Sequence, residues 1–208
     1  MSYVAIYISI LSALLAAAIS PGPSFLTVSR ISASHSRSDG LAAAAAMGLG
    51  GCLFSVLALA GLTSLLSRFQ WLDVVLKLLG GGYLVYIGIQ SWRHASSPLP
   101  RTTATSGGKS IWRSFRSAFL VQVSNPKTIV VYASVFASLL PAETPTEFIA
   151  TIPIGVFMIE TGWYALVALG FSSHHVQGAY DSAKRLIDRS VGILIAGLGV
   201  RLIGLAHH

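Results

Sequence analysis

The sequence predicts an all-α integral membrane protein with six transmembrane helices, arranged as two inverted three-helix repeats whose first and fourth helices are broken at proline. Three observations carry this reading. Mean hydropathy is +0.70, with 53% hydrophobic and only 10% charged residues, against roughly 25% charged in a soluble domain. Six segments reach the roughly 17 to 25 apolar residues that a helix needs to cross a bilayer. Two of them, in corresponding places, contain the breaks Ser20-Pro21-Gly22-Pro23 and Ser124-Asn125-Pro126-Lys127.

The first span runs from Tyr3 to Ile19 and continues beyond Pro23. Ala16-Ala17-Ala18 resembles a signal-peptide cleavage region, but the positively charged segment that precedes one is missing. The second span, Leu41 to Leu66, contains Gly48, Gly50, Gly51 and Cys52. As the single cysteine, Cys52 excludes an internal disulfide or a thiol pair and reads as a small buried hydrophobe. Trp71 to Trp92 forms the third span, in which Lys77 pairs with Asp73 one turn away. Between Arg93 and Arg113 the chain turns to Ser, Thr, Pro, Gly and basic residues, which is loop chemistry. Ala118 to Leu140, Phe148 to Phe171 and Ile187 to Ala206 follow. The organisation expected is a first repeat over 1–95, a cytoplasmic linker over 96–113 and a second repeat over 114–208. Three spans per repeat force the halves into opposite orientations, the plan of many secondary transporters.

The net charge of +7 is informative through its placement rather than its sum, and nucleic acid is not an expected partner. Arg93, Arg101, Lys109, Arg113 and Arg116 surround the third connection, and Lys184, Arg185 and Arg189 mark the fifth. The fourth carries Glu143 and Glu147 and no base. The positive-inside rule puts the third and fifth connections in the cytoplasm and both termini outside. Arg30 and Arg37 on the first connection agree; Arg68 and Lys77, near the second, do not. Trp71, Trp92, Trp112 and Tyr3 near span ends fit an aromatic belt, whereas Trp163 lies deep in the fifth span. Gly80-Gly81-Gly82, Gly88, Gly192, Gly197, Gly199 and Gly204 read as sites of close helix packing. His174-His175 reads as a solvated loop pair, and no metal site or cofactor is expected.

At the breaks, Asn125 is a good helix N-cap and Pro126 suits the first helical position, where its missing N–H costs nothing. Ser20 or Gly22 with Pro21 or Pro23 can start a half-helix in the same way. Each start aims unpaired N–H groups and a positive dipole end at the break, which favours a carboxylate. Each preceding half-helix ends in freed carbonyls, around Ala17 and Gln122, that suit an ammonium group. Together they match a zwitterion; the bland alternative is a pair of packing kinks with no ligand. Lys127 and Glu160 lie about halfway along their spans, where a charge costs roughly 2.5 to 3.5 kcal/mol, so both should face the interior. Glu160 shares a helical stripe with Pro153, Phe157 and Tyr164. A structural pair of Glu160 with Lys127 or with Arg201 competes with a substrate or proton role.

Several stretches resemble the LysE/RhtB family of bacterial amino-acid exporters. Pro21-Gly22-Pro23-Ser24 is similar to its PGP-centred signature, Asp39-Gly40-Leu41 through Gly48 to its second span, and Lys77 through Gly88 to its third. Phe119-Leu120-Val121 through Asn125-Pro126-Lys127 is similar to its fourth-span signature, and Arg189 through Leu202 to its closing helix. Ser24 departs from the usual Asn or Asp, Ala118 from a common Gly, and Val131-Tyr132 from a common aromatic pair. The resemblance implies export of an amino acid or close derivative across the bacterial cytoplasmic membrane in exchange for protons. It carries over Pro21, Gly22, Pro23, Asn125, Pro126 and Lys127 as the core motif.

The resulting expectation is a non-enzymatic exporter with no catalytic residue, working by alternating access. Its substrate site is expected at Ser20, Pro21, Gly22, Pro23, Ser24, Gln122, Asn125, Pro126, Lys127, Glu160 and Tyr164, with Glu160 as proton carrier. Partners are an amino acid, a proton and membrane lipid, with a homodimer allowed. The alternatives are a cation exporter of the same architecture and a non-transporting membrane subunit. A membrane enzyme or redox carrier lacks a nucleophile or carboxylate constellation within the spans.

Overall fold

Helix starts and stops follow the proline and capping chemistry. The computed structural model describes residues 2–20, 22–66, 70–96, 110–141, 144–171 and 173–205, and among them it has eight α-helices and no strand. They are α1 (Tyr3–Ile19), α2 (Pro23–Ser34), α3 (Arg37–Leu66), α4 (Gln70–His94), α5 (Ile111–Val123), α6 (Pro126–Leu139), α7 (Thr146–Phe171) and α8 (His174–Leu205). Gly22 caps α2 with Pro23 in its first turn, and the α1–α2 pair bends by 60°. Asn125 caps α6, its side-chain oxygen accepting from the Lys127 N–H at 3.1 Å, again with proline in the first turn. Ser36 and Asp39 form a reciprocal cap at the start of α3, and Ser114 of α5 donates to the same carboxylate at 2.7 Å.

Two helices are by themselves long and apolar enough to cross a membrane, Arg37–Gly61 within α3 and all of α7; the bent α1–α2 pair would make a third. Several expected boundaries shift. α3 and α5 begin before Leu41 and Ala118, because capping and amphipathic residues extend a helix beyond its apolar run. α8 begins at His174, so His174-His175 opens a helix instead of lying in a loop. The linker at 97–109 and the side chains of Lys77 and Asp73 lie outside the described residues.

The most extensive interfaces join α4 to α8 and α3 to α7. Glycine makes the first one close. A methyl on Gly88 would lie 2.5 Å from the Gly192 carbonyl, and one on Gly81 would lie 2.7 Å from that of Gly199. The two pairs are one heptad apart on antiparallel helices, so backbone meets backbone twice. Gly82, Gly197 and Gly204 meet nothing within 4 Å, so the packing expectation fails for them. Cys52 is half-buried rather than fully buried. The apolar interior forms two clusters, one around Ile10, Leu14, Val131 and Phe136, the other around Phe25, Met47, Ala118 and Tyr164.

Candidate functional site

The two breaks meet where the apolar clusters adjoin. A small cavity there is lined by Leu14 and Tyr132 from one cluster and by Phe25 and Tyr164 from the other. Its polar wall is one continuous chain of hydrogen bonds. Asn125 Nδ2 donates to Ser24 Oγ at 3.1 Å, and Ser24 Oγ donates to Gln122 Oε1 at 2.6 Å. Gln122 Nε2 in turn donates to Glu160 Oε2 at 2.9 Å, and the Tyr132 hydroxyl donates to Glu160 Oε1 at 2.8 Å. Five segments therefore converge: α2, the end of α5, the cap of α6, α6 itself and α7.

Glu160 is 3% exposed and Gln122 is 1% exposed. A buried carboxylate is costly unless its oxygens are satisfied, and here each oxygen has a donor. Glycine in α3 leaves the space. A methyl on Gly51 would run into the Glu160 carboxylate and lie 2.6 Å from the Tyr132 hydroxyl, and one on Gly50 would lie 2.5 Å from Gln122 Cγ.

Lys127 corrects the sequence expectation. Its ammonium donates to the Ala17 carbonyl at 3.2 Å and to the Ser20 carbonyl at 3.4 Å. The carbonyls freed at the end of α1 are occupied by the chain's own cation. Near Gln122 the freed carbonyl takes the Asn125 N–H at 3.2 Å. Among the described residues, neither of the pairs expected for Glu160 forms, since Lys127 serves backbone, and Arg201 lies exposed on α8. α2 has no side-chain cap at its N-terminus, where Gly22 lies beside the Lys127 ammonium. Backbone dipole and ammonium together make that corner attractive to a carboxylate.

Of the expected site residues, Ser20, Gly22, Ser24, Gln122, Asn125, Lys127, Glu160 and Tyr164 line this one cavity. Pro23 and Pro126 stand in the first turns beside it, and Pro21 lies outside the described residues. The cavity holds about 30 Å³, room for about two waters at roughly 10 to 15 Å³ each.

Residues 15–205 match the family described as LysE type translocator. The chain belongs to that family. Its members are transporters, not enzymes. This LysE chain is 31% identical to the threonine efflux protein of Escherichia coli (strain K12), over 90% of its own length and 92% of the relative's. It is 26% identical to the homoserine/homoserine lactone efflux protein of Salmonella typhimurium (strain LT2), over 91% of each. It is also 28% identical to the uncharacterized membrane protein YahN of Escherichia coli (strain K12), over 88% of this chain and 82% of that one. No solved structure matches it.

In this LysE chain, two buried side chains lie beyond what the sequence predicts, one at the centre and one beside it. Tyr132 counted only as a departure from a common aromatic pair, yet it is one of the two donors to Glu160. Its position five residues after Lys127, on the helix that leaves the break, was the available signal. Lys184 read as a cytoplasmic flank, but it is buried and paired with Asp188 at 2.6 Å. The i,i+4 spacing of opposite charges was visible there.

Proposed function

We propose that this chain exports a small neutral amino acid or a close derivative, with threonine and homoserine as the leading cargo, across the bacterial cytoplasmic membrane. The observation that carries the reading is the direct Asn125 to Ser24 hydrogen bond, through which two helix breaks form one polar locus beside Glu160 and Lys127. Relatives named for threonine and homoserine efflux, aligned over nine-tenths of their length, supply the cargo class. In the bound state the cargo carboxylate faces the uncapped start of α2 and the Lys127 ammonium, and its ammonium faces Glu160.

The transport cycle follows from the packing. Corresponding helices of the two halves, α3 with α7 and α4 with α8, form the largest interfaces, as an inverted pair of three-helix repeats would. On this reading both termini lie outside, which the charge pattern supports, and α1–α2 and α5–α6 are the broken first and fourth of six spans. A cavity of about 30 Å³ is far below the roughly 300 Å³ at which ligand pockets begin, so the halves must separate to load cargo. Alternating access supplies that opening. Glu160, held by Gln122 and Tyr132 in the cavity wall, carries the coupling proton. The carboxylate in the cavity wall, Glu160, already accepts from Gln122 and Tyr132, an arrangement suited to an ammonium-bearing cargo more than to a bare cation.

Counterflow in liposomes tests the reading. The purified chain, preloaded with unlabelled L-threonine or homoserine, should accumulate the labelled amino acid above empty liposomes. No counterflow with any small neutral amino acid would overturn it and leave a non-transporting subunit.

A further inference from the structure

Beside the central cavity lies a larger one of about 260 Å³ between the start of α2, the end of α4 and the first half of α8. The two share Ser20, Gly22 and Lys127, so they adjoin across the Lys127 side chain. What distinguishes the larger cavity is the charge in its wall. Lys184 and Asp188 are buried, at 7% and 3% exposure, and form an ion pair at 2.6 Å. Only one carboxylate oxygen is used by the lysine: Asp188 Oδ1 is buried and has no hydrogen-bond partner among the described residues.

A buried carboxylate oxygen with no donor is expensive, and Asp188 itself lines the cavity, so a turn of its carboxylate would offer that oxygen to a ligand or water that donates to it. The cations are also incompletely used. Lys184 gives hydrogen bonds to Asp188 and to the His94 carbonyl, at 3.2 Å, and Lys127 gives two to the end of α1. Each ammonium has three donors, so among the described residues each keeps one uncommitted. Gln90 and Ser91 add neutral polar groups to the wall. Two positive groups with spare donors and one negative group with a spare acceptor match a molecule carrying both an ammonium and a carboxylate. An inorganic anion without a proton, such as sulfate, would leave Asp188 Oδ1 unsatisfied, and a bare cation would face two ammonium groups.

We propose that this cavity is a second, loading site for the zwitterionic cargo, in which Asp188 Oδ1 accepts from the cargo ammonium while Lys184 and Lys127 face its carboxylate. Resting on the export reading above, it lies at the ends of α4 and α8 that the basic residues assign to the cytoplasm. Lys127, common to both cavities, then passes the carboxylate to the central site as the halves open.

The test uses the full chain with Cys52→Ser, carrying His94→Cys as a thiol reporter at the cavity edge; the His94 carbonyl that holds Lys184 is backbone and remains. L-threonine should slow maleimide labelling of this thiol. Asp188→Asn, which keeps the acceptor for Lys184 but adds a donor, should raise the half-protecting concentration about tenfold or more, the loss expected for one charge-assisted hydrogen bond. Gly61→Ala, which lines neither cavity and meets nothing within 4 Å, should leave that concentration unchanged. Absence of protection, or protection undiminished by Asp188→Asn, overturns the proposal. Where Asp188→Asn is not recovered folded, Gln90→Leu must weaken protection, and undiminished protection again overturns it. Counterflow separates the two readings. Protection without counterflow would retain this site and reject export, whereas counterflow without protection would reject this site and retain export.

Discussion

Asn125 donates to Ser24 across 3.1 Å, joining side chains 101 positions apart that each belong to a different helix break. The Asn125 oxygen caps its own helix, which leaves its amide N–H groups to reach across to the other break. The Ser24 hydroxyl passes the connection to Gln122 and so to Glu160. Any movement that separates the halves must therefore break this chain or carry it along.

Ser24→Ala should strand two buried groups at once, Gln122 Oε1 and Asn125 Nδ2. An unsatisfied buried polar group costs about 1 to 3 kcal/mol, so a lowered thermal midpoint and weaker threonine counterflow are expected. Asn125→Ala adds the loss of the α6 cap, about 0.5 to 2 kcal/mol. The double variant should lose less than the sum of the singles, because both break one shared bond. Full additivity in thermal melts would mean that the two groups act independently.

Lys127→Met should leave the Ala17 and Ser20 carbonyls without their donor and remove the charge beside the start of α2. The half-saturating concentration for counterflow should rise about tenfold or more, as expected for the loss of a charged hydrogen-bonding partner. Lys127→Arg should recover only part of it, since a planar guanidinium cannot copy a compact ammonium on two carbonyls. Methionine at wild-type affinity would remove Lys127 from the site.

Gly51→Ala places a methyl group against Glu160 and Tyr132. Overpacking of this kind costs about 1 to 3 kcal/mol, and the displaced carboxylate should also reduce counterflow. Gly61→Ala on the same helix meets nothing within 4 Å. There the better helix propensity of alanine, about 1 kcal/mol, should leave stability equal or higher. Equal melting of the two variants would contradict the close fit at Gly51.

Glu160→Gln keeps an acceptor for Tyr132 but sets one amide NH2 against another at Gln122, or reverses the Tyr132 bond if it flips. Counterflow should persist at reduced affinity, while stimulation of net flux by an imposed pH gradient should vanish. A gradient response equal to wild type would take the coupling proton away from this residue.

Much of this arrangement could be read from residue types alone. Pro23 and Pro126 cannot continue a helix through their positions, and Asn125 has a side chain that caps one, so both breaks were legible. Glu160 was legible by depth, since a carboxylate so far along an apolar run needs protein partners. Its actual partners were not, because Gln122 and Tyr132 approach from other helices and their reach depends on the missing side chains of Gly50 and Gly51. Glycine seams were half legible. Composition marks Gly81, Gly82, Gly197 and Gly199 alike, but only helix rotation selects Gly81 and Gly199 as contacts. The Lys184–Asp188 pair was obscured because its neighbours Arg185 and Arg189 are exposed, and a run of bases looks like a solvated edge.

The ammonium of Lys127 on the Ala17 and Ser20 carbonyls has a consequence for leakage. Bare backbone oxygens at a helix interruption are the kind of ligand that sodium and potassium accept in place of water. In this chain those oxygens already hold a cation that is covalently tethered and cannot be washed out by either bath. If the halves open as proposed, that tethered charge keeps the interruption from offering its oxygens to alkali ions.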